Sequence, residues 1–283
     1  MAKQVIITSD STTDLSPELR ERFGIRLLPL QVSLGEQTFT DGVDITPEDI
    51  YANYEKNKQL PKTAAPNLAA TAEFFRQCRE DGAEVVHFTI SAEMSSSCSN
   101  ARLAAEDIGG VEVVDTRNLS TGGGLLVLRA AEMAQQGASA QEIAETCRSL
   151  TDKVDASFVI DNLEFLHKGG RCSALAMFGA NMLQLKPCIV VRGGKMEVAQ
   201  KYRGKFDRVL PKYITDRLGD GKGLDPGYAF VTHAGCDESI VNACAEQVRA
   251  LGIFREVHVT RAGCTISSHC GRNTLGVLFL RER

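Results

Sequence analysis

Apolar and polar positions fall in alternating blocks along this chain, and the blocks read as strands followed by helices. Val5-Ile6-Ile7 predicts a strand that opens into the polar loop Ser9-Asp10-Ser11-Thr12-Thr13-Asp14. Ser16-Pro17 then starts a helix, with serine as N-cap and proline at the first helical position. That helix stops near Gly24, and Ile25 to Leu34 is the next strand. Thr46-Pro47-Glu48-Asp49 opens another helix by the same cap-and-proline logic. A proline-bounded loop, Pro61 to Pro66, precedes a helix and the buried strand Val85 to Ile90. Val111 to Val114 is a further strand, and Gly122-Gly123-Gly124 reads as a turn into an apolar helix. Ser139 and Glu142 form a capping box for the helix after that. Strands separated by helices imply a parallel sheet covered on both faces.

The second half opens near Ala156 with the strand Ser157 to Ile160, and a polar-glycine segment, His167 to Arg171, interrupts two helical stretches. Pro187 to Val191 and Met196 to Lys201 pair as a hairpin joined at Gly193-Gly194. Gly227 to Thr232, the helix Glu238 to Leu251 and Val257 to Thr260 make a βαβ unit, and Leu275 to Leu280 is the last strand. The fold class is α/β in two units: residues 1–155, with a mostly parallel sheet, and residues 156–283.

Composition narrows the partners. A hydrophobic fraction of 43% and a charged fraction of 24% describe an ordinary globular chain. The net charge of -4 argues against nucleic acid and against a polybasic membrane surface, leaving at most transient membrane contact. No secretory h-region follows the start. The apolar stretch Ala174 to Val191 is broken by Asn181, Gln184, Lys186 and Pro187, which predicts core helix and strand instead of a membrane span. Nine cysteines without a CxxC pair read as reduced thiols of a cytoplasmic protein. Cys264, His269 and Cys270 crowd one loop without a fourth ligand, a poor zinc site, so no metal and no cofactor is expected.

Candidate chemistry lies in the loops. Ser9 to Thr13 follows a strand carboxyl end, where open α/β sheets bind ligands, and Ser95-Ser96-Ser97 follows the strand ending at Ile90. Hydroxyls are also common turn and cap residues, so each alone reads as structure. Lys168-Gly169-Gly170-Arg171 can wrap an anion or simply connect two helices. Gly122 to Gly124 lacks the P-loop lysine and the Rossmann spacing. Arg203 follows a strand and can bind a carboxylate or phosphate, or be a solvated surface residue. His233 and His269 occupy strand-end positions, with no Gly-x-Ser-x-Gly motif and no Ser-His-Asp order.

An ordered series of segments nevertheless resembles the DegV family of fatty-acid-binding proteins across nearly the whole chain. It runs from Thr8-Ser9-Asp10-Ser11 through Asp41-Gly42-Val43-Asp44, Thr63, Ile90-Ser91 with Ser95, and Asp115-Thr116. It continues through Leu163-Glu164-Phe165-Leu166-His167-Lys168-Gly169-Gly170-Arg171-Cys172-Ser173, Lys186-Pro187 and Arg203-Gly204 to His269 and Gly276. The resemblance implies a lipid site between two domains and a role like that of the lipid-carrying subunit of bacterial fatty acid kinase. In that role a long-chain fatty acid is bound, and an ATP-dependent kinase phosphorylates its exposed carboxylate to an acyl phosphate for phospholipid synthesis. Thr63 and Ser95 would hold the carboxylate, His269 would support that end, and Arg171 and Arg203 would lie near the head group. Leu175, Phe178 and Met182, on an apolar segment with Met177 and Leu183, are the expected tunnel wall.

This sequence departs from the family pattern at Ser96, at Ala64-Ala65, at Ser267 and at Cys270-Gly271-Arg272-Asn273. Two other readings are carried forward. One is a lipid hydrolase or acyltransferase using Ser95 and His269; the other is a phosphate-ligand sensor using the glycine loops.

Overall fold

A computed structural model describes residues 4–172 and 185–282. The expected tunnel-wall residues Leu175, Phe178 and Met182 lie outside the described residues. In chain order the elements begin β1 (Val5–Asp10), α1 (Pro17–Phe23), β2 (Arg26–Leu28), β3 (Gln31–Leu34), β4 (Gln37–Thr40), α2 (Pro47–Asn57) and β5 (Lys62–Ala64). Next are α3 (Leu68–Cys78), β6 (Glu84–Thr89), α4 (Ser97–Ile108), β7 (Val111–Asp115), α5 (Ser120–Gln135) and α6 (Ala140–Leu150). The second half holds β8 (Val154–Ile160), α7 (Glu164–Gly169), β9 (Leu185–Arg192), β10 (Lys195–Arg203), α8 (Phe206–Leu218) and β11 (Leu224–Ala234). It closes with α9 (Glu238–Arg249), β12 (Glu256–Arg261), α10 (Cys264–Cys270) and β13 (Thr274–Arg281).

The α/β class holds. A four-stranded parallel sheet, β2-β1-β6-β7, comes from the first half, and a six-stranded sheet, β10-β9-β8-β13-β11-β12, from the second. In the second only β11 and β12 run parallel, as the βαβ pattern predicts; its other pairings are antiparallel. A small sheet, β4-β3-β5, lies beside them.

Two strand expectations are corrected. Ile25 to Leu34 is not one strand: β2 ends before Pro29 and β3 begins after it, in a different sheet. Proline has no N–H to donate and biases its predecessor's backbone, so the chain changes sheet there. The loop Pro61 to Pro66 contains β5, whose Thr63 pairs in register with Val32 of β3. Three residues between prolines carry no periodicity, so only the pairing partner reveals the strand.

Helix signals fared better because they are local. Ser16 caps α1 and accepts from the Leu19 amide, while Gly24 takes φ 64 at the C-cap. Thr46–Asp49 and Ser139–Glu142 are complete capping boxes. Gly122-Gly123-Gly124, in contrast, is not a turn; it lies within α5, which begins at Ser120. That helix packs against β1 and β6 on one side and β8, β11 and β13 on the other. A β-carbon at Gly124 would meet the Leu15 side chain at 2.9 Å and the Thr13 carbonyl at 3.0 Å, and one at Gly122 would meet Ala156 at 3.1 Å. Glycine is what lets a helix lie between two sheets this closely. Ile7, Phe88, Leu126, Phe158, Phe230 and Leu278 consequently belong to a single apolar core reaching both sheets.

Candidate ligand-binding site

The site is built around α10, whose sequence Cys-Thr-Ile-Ser-Ser-His-Cys has little helix propensity. Tertiary acceptors make the helix. The Asp41 carboxylate accepts from the backbone amides of Cys264 (2.9 Å) and Thr265 (3.2 Å) and from the Thr265 hydroxyl (2.6 Å). Asp14 accepts from the Gly263 amide at 2.8 Å and from Ser120 Oγ at 2.5 Å. Ser11 joins the bracket by donating to Asp41 at 2.9 Å. His269 therefore sits in a helix and not in a strand-end loop. Its helix spacing puts Thr265, Ile266, His269 and Cys270 on one face, and all four line a cavity of about 270 Å³.

The opposite walls come from distant segments. β5 and the residue after it supply Thr63, Ala64 and Ala65, and the turn from β6 into α4 supplies Met94, Ser95 and Ser96. Leu30, Ile90, Leu119, Leu166 and Met196 make the apolar remainder, with Arg171 at the rim. A further apolar void of about 30 Å³ is bounded by the same Leu119, Ile266 and Cys270, together with Phe158 and Leu278.

Polar groups share this lining with the apolar ones. Thr63 Oγ1 lies 2.8 Å from His269 Nε2. Burial, and then the positive charge of Arg171, holds the His269 imidazole down at about 4, so it is neutral at neutral pH. Nδ1 is buried without a hydrogen-bond partner and faces Gly169, where a β-carbon would stand 2.7 Å away. A buried N–H lacking an acceptor is costly, which places the proton on Nε2. His269 then donates to Thr63, and the threonine hydroxyl is left free to donate into the cavity. Ser95 is half-buried, accepts from the Ser97 amide at 3.2 Å and shares a hydroxyl contact with Ser97 Oγ at 3.0 Å. Ser95 and Ser96 thus bring the N-terminus of α4 to the cavity lining, and a helix N-terminus favours an anion.

The arginines differ. Arg171 is exposed, lines the cavity and donates through Nη1 to the Gly169 carbonyl at 2.7 Å. Arg203 is exposed at the end of β10 and does not line it. Among the described residues His269 pairs with Thr63 and Ser95 with Ser97, so nothing here supports a Ser95–His269 nucleophile pair. In the glycine segment, Lys168 pairs with Glu164 at 2.8 Å.

Two groups of site residues were not legible. Leu30, Met94, Leu119, Leu166 and Met196 belong to different elements and share no spacing. Asp14 and Asp41 build α10 from the other end of the chain. Desolvation raises Asp14 to about 8 against its hydrogen bonds from Ser120 and Gly263, and raises the neighbouring Asp10 to about 6.

A family model described as "Uncharacterised protein, DegV family" matches residues 4–282. The chain belongs to the DegV family. A DegV domain-containing protein of Deinococcus radiodurans is 30% identical over 276 residues, covering 96% of this chain and 97% of its own. A DegV protein of Thermus thermophilus, described by its fatty acid binding, superposes with a TM-score of 0.91 at 31% identity, over 98% of this chain and 99% of that one. A stearic-acid-binding protein of Eubacterium ventriosum superposes with a TM-score of 0.87 at 25% identity, over 100% and 99%. The two-domain α/β architecture of DegV proteins is the one seen here. No helix among the described residues is long and apolar enough to cross a membrane.

Proposed function

We propose that this DegV protein binds a long-chain fatty acid, with its carboxylate at Thr63, Ser95 and His269, and presents that carboxylate to an ATP-dependent kinase for conversion to an acyl phosphate. The observation that carries the reading is the mixed lining of one cavity: the hydrogen-bonded Thr63–His269 pair, Ser95 and Arg171 share it with Leu30, Ile90, Met94, Leu119, Leu166 and Met196. About fifteen methylenes at ~0.8 kcal/mol each offer up to about 12 kcal/mol of burial, and ordering the ligand takes back several kcal/mol. A carboxylate cannot follow the chain inward, because an unpaired buried charge costs too much. It stays at the mouth, where neutral donors and the rim cation Arg171 meet it. A neutral His269 avoids burying a second charge when the site is empty. Arg203, outside the cavity, is assigned to the kinase-facing surface, and Leu175, Phe178 and Met182 to the tunnel wall.

Native mass spectrometry of the purified protein, followed by organic extraction, tests the binding. One fatty acid per chain is the expected result; a protein that is empty and ignores added fatty acids overturns the reading. Arg203→Ala is expected to keep the lipid and lose acyl phosphate formation by the partner kinase. Undiminished acyl phosphate would remove Arg203 from that role.

A further inference from the structure

A second cleft, of about 440 Å³, lies between the start of β8, the end of β13 and the turn joining β9 to β10. Five cations line it (Arg117, Lys153, Arg192, Arg217 and Arg281) against two carboxylates, Asp152 and Asp155. This concentration occurs in a chain of net charge -4, so it is local. We infer that this cleft is a binding site for a small phosphate-bearing anion, separate from the fatty-acid cavity and independent of that reading.

Asp155 is buried and holds two guanidiniums at once, Arg217 on one oxygen and Arg281 on the other, the latter at 2.8 Å. One carboxylate between two arginines leaves a positive excess that solvent reaches, the Arg217 side chain being 21% and the Arg281 side chain 42% exposed. Arg217 adds a second sign: its Nε is buried and has no hydrogen-bond partner among the described residues. A buried donor of a charged group is normally satisfied, and Arg217 is one of the residues that line the cleft. The remaining cations are weakly held. Arg117 lies 3.6 Å from Asp152, whose side chain is 80% exposed, and Arg192 lies 4.0 Å from Glu197. Lys153, half-buried at the rim, forms no ion pair among the described residues.

Arginine forks match the oxygens of a phosphate in pairs, and a mobile lysine adds a point charge. The concave shape and volume suit a small ligand and not a duplex. The site shares no lining residue with the fatty-acid cavity, so the two can be tested apart.

The probe is inorganic pyrophosphate, titrated calorimetrically into the full chain at low ionic strength. Saturable one-to-one binding is expected, weakened at least about tenfold in Lys153→Glu and in Arg192→Glu and unchanged in Arg171→Glu, whose charge lies at the other cavity. Both reversal variants change partly or fully exposed side chains, and an unchanged urea midpoint shows that each is folded. Sedimentation with phosphatidylcholine vesicles containing phosphatidic acid separates the sources. Lys153-dependent sedimentation assigns a lipid headgroup, and pyrophosphate binding without sedimentation assigns a soluble ester. No saturable binding of either probe, binding indifferent to both reversals, or binding lost in Arg171→Glu overturns the site.

Discussion

At Gly169 the backbone of α7 passes so near the His269 ring that no β-carbon fits between them; one there would stand 2.7 Å from Nδ1. The glycine is needed for that approach, since the imidazole is fixed on its other side by Thr63 at 2.8 Å. Gly169→Ala is therefore expected to push the ring off Thr63. The cost is about 1–3 kcal/mol of stability from overpacking and about tenfold or more in fatty-acid affinity, the worth of one hydrogen bond to a charged group. Competition titration with a fluorescent fatty acid reads the second effect; unchanged affinity would detach His269 from carboxylate binding. In the sequence this glycine reads equally as an anion loop or a helix connection, because its partner lies across the fold. Thr63, Ser95, Arg171 and His269 were legible as a set only through their ordered series, and the structure brings all four to one cavity. Arg203 stands apart from them.

What the sequence reveals at the scale of elements depends on where the determinants lie. The capping boxes of α2 and α6 are complete within four residues and could be read directly. The helix α10 could not, because its cap is Asp41, more than two hundred positions earlier (separation 223 to Cys264). β5 was hidden for a related reason: its identity rests on pairing with β3. This makes α10 the element most exposed to a distant substitution. Asp41→Ala removes the acceptor for Ser11 Oγ, the Cys264 and Thr265 amides and the Thr265 hydroxyl together. Losing a cap and stranding buried donors is expected to cost about 2–4 kcal/mol, read from urea unfolding. Asp41→Asn, which keeps one acceptor oxygen, is expected to lose less. An unchanged midpoint in Asp41→Ala would mean that α10 holds itself together without its cap.

Across the whole molecule the same bracket joins the parts. Asp14 follows β1, accepts from Ser120 at the head of the central helix α5, and accepts from Gly263 just before α10. Its charge state thus bears on the junction of both sheets and the site. Burial raises its folded pKa to about 8, above the ordinary 3.8, with the neighbouring Asp41 and Asp10 charges adding to the rise. The native state therefore holds a proton that the unfolded chain has released, and stability falls as pH rises from the unfolded value through about 8. Asp10, raised to about 6, makes its loss lower on the scale. His269 and His87, lowered by burial to about 4 and about 3, act in the opposite sense, and only below their ordinary 6.5. Between about pH 6.5 and 8 Asp14 is thus the carboxylate whose protonation still differs between the two states. Asp14→Asn keeps the shape, stays neutral, and can donate to Ser120 while accepting from Gly263. The urea midpoint of the natural protein is expected to fall across that window relative to the variant, with cysteine and tyrosine ionisation cancelling in the comparison. Parallel curves would show that Asp14 is already ionised in the native state, and the junction would then be held by a buried charge instead of a shared proton.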